Sequence, residues 1–366
     1  MTLARVLLCV TAVLCTAAAG EPLPVVLFHG MGDSADSEGM TAVRQRIEAD
    51  TGAYVVSVSV GKPGDDVRSG FFGRVTEQLE DVCAEQLMSD PRLMARGFNA
   101  VGFSRAFPRV AASQRPSVGA RTYPASAEGG LFMRALVQTC DVRVRTLVTL
   151  GSPHGGVSQV PSCSAAGQGS SVFCNQMAKA VKAGAYSGLV QGSVVQAQYF
   201  RAANDEAGFL KHSLFLAPAN NLLDEKNATY AARLAALNRL VLFRFADDAT
   251  VVPRDSAWFA MQSGTDVVPL QEQELYGRDW LGLRALDASG RLTLAECPGE
   301  HMRFSLDWFA QNVIEPYLAS PEMDGMLAAG TWARLLRLAA YCRAWVASGQ
   351  ERGAASAAAA RRLLRL

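Results

Sequence analysis

Five short apolar runs, each leading into a polar or glycine-rich turn, limit the folds open to this chain: Val25–Phe28, Tyr54–Val60, Phe98–Phe103, Val144–Leu150 and Leu240–Phe245. Rich in valine and leucine, they suit strands covered on both faces. Helix-like stretches separate them. In one, Phe71 or Phe72 is followed by Val75, Leu79, Val82 and Leu87 at steps of three or four with a final step of five, as on one side of an amphipathic crossover helix. This alternation predicts an α/β protein with a mostly parallel sheet and helices on both faces. Functional groups in such sheets collect at the carboxyl ends of strands, so the turns after these runs are the places to search.

The amino terminus has a different character. Arg5 precedes the apolar run Val6–Leu14, which ends in Ala17, Ala18, Ala19 and Gly20. Residues 1–20 read as a cleavable signal peptide. The run is shorter than the roughly 20 residues a spanning helix needs, and no later segment supplies one, so no stable membrane span is expected. Six cysteines remain beyond it, Cys83, Cys140, Cys163, Cys174, Cys297 and Cys342, and an oxidising compartment favours disulfides among them. The four histidines, at 29, 154, 212 and 301, show no metal-ligand spacing, and no metal or other cofactor is expected. Asn227-Ala228-Thr229 is an N-glycosylation acceptor, in keeping with the secretory route. With 35 basic and 34 acidic residues, the net charge of +1 offers no field for nucleic acid.

Three turns carry candidate chemistry. His29-Gly30-Met31-Gly32-Asp33 follows the first run, and its glycines fit a loop that presents amide N–H groups to an oxyanion, with Met31 as donor; an ordinary glycine turn fits the same residues. The third run ends in Gly102-Phe103-Ser104, the start of a nucleophile elbow in which a helix begins directly behind the serine. The helix is displaced here. Residues 105–127 intervene, rich in Arg, Pro, Ala and Ser and without any acidic residue, leucine or isoleucine. Without them the text becomes Gly102-Phe103-Ser104-Glu128-Gly129-Gly130, a complete Gly-x-Ser-x-Gly running into the amphipathic stretch 131–138. The composition of the segment is that of translated GC-rich non-coding sequence, and it is expected to be a retained intron or a gene-model error.

In an α/β-hydrolase fold the acid and then the histidine follow the nucleophile along the chain. Only His301 lies late enough, in a loop before a helix expected over 304–314. The fifth run delivers Asp247 and Asp248; Asp248 is the preferred acid and Asp247 the alternative, while Asp255 is expected to cap a helix over 256–261. Ser104, His301 and Asp248 would then act as nucleophile, general base and orienting carboxylate in acyl transfer.

Taken together, His29-Gly30-Met31-Gly32-Asp33-Ser34, the Asn99-to-Ser104 elbow, Ala183-Gly184-Ala185-Tyr186-Ser187 and Asp255-Ser256-Ala257-Trp258-Phe259 resemble the palmitoyl-protein thioesterase family. The similarity runs from about Pro24 to Leu318, so that 21–318 is the expected α/β-hydrolase domain. The resemblance implies lysosomal or secreted hydrolysis of palmitoyl thioesters on proteins and peptides. It matches Ser104, Asp248 and His301 to the family's triad and Met31 to one oxyanion donor. The other donor would be Glu128, where the family has glutamine. It also implies disulfides Cys83–Cys140 and Cys163–Cys174, and a mainly helical insertion over about 155–238 that lines a lipid groove. A cysteine doublet found in some members is replaced by Ala35-Asp36, and Cys297 and Cys342 have no counterpart. The tail 319–366 also departs from the family; Trp332, Leu335, Leu336, Ala339 and Val346 would share a helical face, as in a membrane-surface helix, but a disordered or misannotated end is the preferred reading. Two other functions stay open. One is a lipase or oxygen-ester hydrolase of the same fold, and the other a catalytically impaired binding protein if residues 105–127 are genuine.

Overall fold

The computed structural model describes residues 21–30, 33–61, 64–104, 129–159 and 184–319. The expectations for the signal peptide, Met31, residues 105–127, Glu128, Cys163, Cys174 and the tail beyond residue 319 lie outside them.

The five apolar runs form strands β1 (Val25–Phe28), β2 (Val55–Val58), β3 (Phe98–Phe103), β4 (Val144–Leu150) and β5 (Arg239–Phe245). A short hairpin follows, β6 (Met261–Ser263) with β7 (Asp266–Val268), and then β8 (Leu292–Cys297). The main sheet has the order β2-β1-β3-β4-β5-β8, with every neighbouring pair parallel. Alternate residues of each strand enter different cores, which is why the runs are mainly apolar. Val25, Leu27, Val101, Phe103, Val241 and Phe243 pack on one side, against the helix Glu38–Thr51 and the C-terminal helix. Val26, Phe28, Ala100, Leu240 and Leu242 pack on the other, with residues from the helices Val75–Asp81, Gly129–Thr139, Ala228–Ala235 and Leu283–Ala288. Helices therefore cover both faces, as an α/β-hydrolase fold requires.

The final step of five in the crossover helix has a structural cause. The α-helix ends at Asp81 and the chain continues to Leu87 as a π-helical segment. Val82 and Leu87 are both fully buried, since a wider turn returns residues five apart to the same face. Phe72 does not join that face; it precedes the helix and is 43% exposed. The C-terminal helix likewise differs from the expected 304–314. It begins at Leu306, where the Ser305 hydroxyl accepts the Trp308 amide at 3.1 Å, and continues as a π-helical stretch to Leu318 that includes Pro316, which has no N–H to donate.

Behind β3, the helix Gly129–Thr139 seats its first residues on the strand end. A Cβ on Gly102 would lie 2.4 Å from the Gly130 Cα, and one on Gly129 would lie 2.3 Å from the Phe103 carbonyl oxygen. Glycine at both places is what allows helix and strand to meet backbone to backbone. The fully buried Arg134 ties the same helix to the chain before β5, its guanidinium donating to the Ala219 carbonyl at 3.0 Å and Asn220 Oδ1 at 2.6 Å. It has no carboxylate among these partners, and burial pulls it down to about 9.

A disulfide joins Cys83 to Cys140, with Cα atoms 5.7 Å apart, and links the crossover helix to the end of the helix behind β3. Among the described residues Cys297 is a free, buried thiol, pushed up to about 12 by burial and hence held protonated.

Candidate active site

Parallel strands β3, β5 and β8 bring the three sequence candidates to one end of the sheet. Ser104 is the residue after β3, Asp248 the third after β5 and His301 the fourth after β8. Ser104 Oγ lies 2.7 Å from His301 Nε2, and His301 Nδ1 lies 2.6 Å from Asp248 Oδ2. Ser104 is fully buried, and the side chains of His301 and Asp248 are almost entirely so.

The carboxylate is fixed before it meets the imidazole. Asp248 Oδ1 accepts the amides of Thr250 at 2.8 Å and Val251 at 2.9 Å, leaving Oδ2 for His301. An acceptor at Nδ1 selects the tautomer with its proton there, so Nε2 is free to accept from Ser104. The arrangement can move a proton from a hydroxyl to an imidazole and hold the resulting positive charge beside a buried carboxylate. Asp247, the alternative acid, points its backbone elsewhere: its amide donates to the Gly299 carbonyl at 2.9 Å, joining the Asp248 and His301 loops. Gly151, at φ 66°, lets the chain after β4 pass the site, since a Cβ there would lie 3.0 Å from His301 Cε1.

Asp255 is not the helix cap expected from the sequence. The 3-10 turn spans Arg254–Trp258, so Asp255 lies inside it and pairs instead with Arg244. Arg244 stacks over the Trp258 ring at 3.8 Å and also reaches Glu296 on β8. The cluster braces β5, β8 and the loop between Asp248 and Asp255.

The described flanks of the first candidate loop sit beside the serine. Phe28 pairs with Gly102 in the β1–β3 register, so two residues further along come Gly30 and Ser104. The Gly30 carbonyl accepts the Asp33 amide at 3.3 Å and His29 Nδ1 at 2.9 Å.

Sequence reasoning did not foresee the role of His154. It is completely buried, with Nε2 2.9 Å from Thr149 Oγ1 and its ring stacked on Phe259 at 4.8 Å. Burial, and then the nearby Arg134 charge, hold it well below the ordinary value of about 6.5. On unfolding it takes up a proton as pH falls through about 6.5, whereas the folded residue stays neutral, so its contribution to stability is complete above that pH and is lost below it at about 1.4 kcal/mol per pH unit. Chemical denaturation of wild type and His154→Gln from pH 7 to pH 5 should show the shallower acid loss in the variant. Equal slopes would remove this residue from the acid response.

The chain matches the family profile described as palmitoyl protein thioesterase over residues 24–106 and 125–301. It is 33% identical over 306 residues to Palmitoyl-protein thioesterase 1 of Caenorhabditis elegans, covering 82% of this chain and 93% of that one. It is 31% identical over 306 residues to Palmitoyl-protein thioesterase 3 of Dictyostelium discoideum, covering 81% and 92%. A third relative, Lysosomal thioesterase PPT2 homolog of Drosophila melanogaster, is 25% identical over 308 residues, with 81% and 91% covered.

Proposed function

The chain belongs to the palmitoyl protein thioesterase family, and from that premise we propose that it hydrolyses long-chain acyl thioesters on protein cysteines with Ser104, His301 and Asp248 as its catalytic triad. The observation that carries the assignment is the continuous hydrogen-bonded series from Ser104 Oγ through His301 to Asp248 at 2.7 and 2.6 Å. His301 Nε2 accepts the Ser104 proton as Oγ attacks the thioester carbonyl, and Asp248 stabilises the imidazolium. Collapse of the tetrahedral intermediate breaks the carbon–sulfur bond, and the leaving cysteine takes the proton from His301. The acyl group is then an ester on Ser104. Water, deprotonated by His301, attacks this ester, and the fatty acid leaves as Ser104 recovers its proton. Backbone amides of Met31 and of the residue after the nucleophile hold the developing oxyanion, the second of these being Glu128 where residues 105–127 are absent.

The acyl chain is assigned to the space between the sheet and the insertion over about 155–238. From Gly184 onward that insertion carries short helices, among them Gly188–Ser193, Val195–Gln198 and Glu206–His212. A small cavity lies there, lined by Phe28, His29, Val60, Phe132, Val195 and Tyr199. Its volume of about 20 Å³ is near that of a single water site, so a long chain must push these side chains apart to enter.

The signal-peptide pattern of residues 1–20 and the acceptor motif at Asn227 support entry to the secretory route, and the lysosomal relative supports a lysosomal destination. Asn227 is exposed and caps the helix Ala228–Ala235 through Oδ1, which accepts the Thr229 amide at 3.0 Å; the cap does not engage the Nδ2 that would carry a glycan. A second disulfide, Cys163–Cys174, belongs to the same reading. Among the described residues no helix is long and apolar enough to cross a membrane.

Parallel assays of a palmitoyl-cysteine peptide and its palmitoyl-serine counterpart test the substrate class. The thioester is expected to give a kcat/KM higher by about 10-fold or more, equivalent to about 1.4 kcal/mol of transition-state preference. Preference for the oxygen ester would make the chain a lipase-like esterase.

A further inference from the structure

We propose that Asp66 is a positioning residue for the loop between His29 and Ala35; the inference rests on the reading that this loop supplies an oxyanion donor. Asp66 opens the short helix Asp66–Ser69 and is only 6% exposed. Its two carboxylate oxygens bind separate parts of the chain. Oδ1 accepts the Val60 amide at 2.9 Å, just past the end of β2, and Oδ2 accepts the Ala35 amide at 3.0 Å. His29 Nε2, itself buried, lies 3.7 Å from the same Oδ2.

One buried carboxylate thus fastens Ala35, the far end of the loop, to the end of β2, a strand that β1 already pairs with, while His29 at the β1 end faces the same oxygen at 3.7 Å, an electrostatic contact and not a hydrogen bond. The loop cannot slide along β1 without breaking a charge-assisted hydrogen bond. A donor amide between these anchors acts on an oxyanion only if its distance is held to a few tenths of an ångström, which is what fastened ends provide. Both oxygens must be acceptors because both face backbone N–H groups. Asparagine keeps one and sets an NH₂ donor against the other amide.

The test uses the full chain and counts active sites with a stoichiometric serine-reactive phosphonate, so that kcat is expressed per competent enzyme. Asp66→Asn is expected to lower kcat per site by about 10-fold to 100-fold with KM within about twofold, whatever happens to Tm. His29→Gln, which leaves both amide bonds to Asp66 in place, is the second variant and serves alone if Asp66→Asn yields no folded protein. It should lower kcat in the same direction, and the double variant should lose less than the product of the two single losses. A lower Tm with kcat per site within about twofold of wild type, in whichever of the two variants fold, would overturn the proposal and leave Asp66 a purely structural group. Ser104→Ala separates the two levels of argument. If that variant keeps its activity the triad reading itself fails, whereas an inactive Ser104→Ala beside an unaffected Asp66→Asn sinks only the positioning role.

Discussion

Replacing Ser104 with alanine is expected to lower kcat for palmitoyl-thioester hydrolysis by about 10⁴-fold or more while leaving the fold intact. The hydroxyl is fully buried and its one described partner is His301, so its removal costs at most a single hydrogen bond, about 1 kcal/mol of stability. The catalytic loss is far larger, because no acyl-enzyme can form. His301→Ala should show a similar loss, and the double variant should be little worse than either, since the two groups act as one unit. Asp248→Asn makes the finer test. Asn at 248 still offers an oxygen to the Thr250 and Val251 amides, but its NH₂ then faces His301 Nδ1 as a donor. The imidazole is driven to the tautomer with its proton on Nε2, where it cannot accept from Ser104, and a loss of about 10⁴-fold is expected with little change in KM. Steady-state kinetics of the four variants, with circular dichroism to verify folding, measure all of this. An Asp248→Asn enzyme within 10-fold of wild type would move the acid's role elsewhere.

How far the sequence discloses this molecule follows from where each signal resides. Strands β1 to β5 are legible because both faces are buried and nearly every residue must be apolar. Strand β8 escapes the same reading: only Cys297 of its six residues is fully buried, Leu294 is 36% exposed, and Thr293 and Glu296 interrupt the run. Hairpin β6–β7, at three residues a strand, is too short to show a period. His301 and Asp248 could be singled out because chain order restricts the choice, even though β8, which carries His301 to the site, was not anticipated. Asp255 was misread because a carboxylate before an apolar stretch resembles a cap, and only the position of Arg244, 11 residues earlier on β5, determines otherwise. Asp66 and His154 left no local trace. Their partners include backbone and ring atoms 31 residues and more away, at Ala35 and Phe259, and no spacing in the chain encodes them.

Deleting residues 105–127 is expected to raise kcat/KM by about 10²-fold to 10³-fold, the worth of one restored oxyanion donor. The family match skips residues 107–124, so the departure is confined to this stretch, and the sequence on both sides of it is that of the family. The described ends are already in place for direct connection. A Cβ on Gly129 would meet the Phe103 carbonyl oxygen at 2.3 Å and one on Gly102 would meet the Gly130 Cα at 2.4 Å, so strand end and helix start lie against each other, as an elbow with one residue between Ser104 and Gly129 needs. Glu128 is that residue in the deleted chain. Its amide would follow the nucleophile directly, at the start of a helix, where both a hydrogen-bond donor and the helix dipole favour an oxyanion. In the full chain Arg105 follows Ser104, and 23 further residues separate the serine from that helix start. Loop-closure cost rises by about 0.6 kcal/mol for each doubling of length, so shortening the connection from 24 residues to one, between four and five doublings, should also stabilise the fold, by up to about 3 kcal/mol. A large gain in kcat/KM, measured at a temperature where both proteins are fully folded, is therefore the signature of a catalytic defect caused by the segment. Equal activity of the two proteins would mean that the full chain positions its second donor by other means, and the segment would have to be regarded as a genuine part of the enzyme. A mature transcript spanning the Ser104–Glu128 junction without these codons would give the same answer from the gene's side, making the shorter chain the one on which the triad operates.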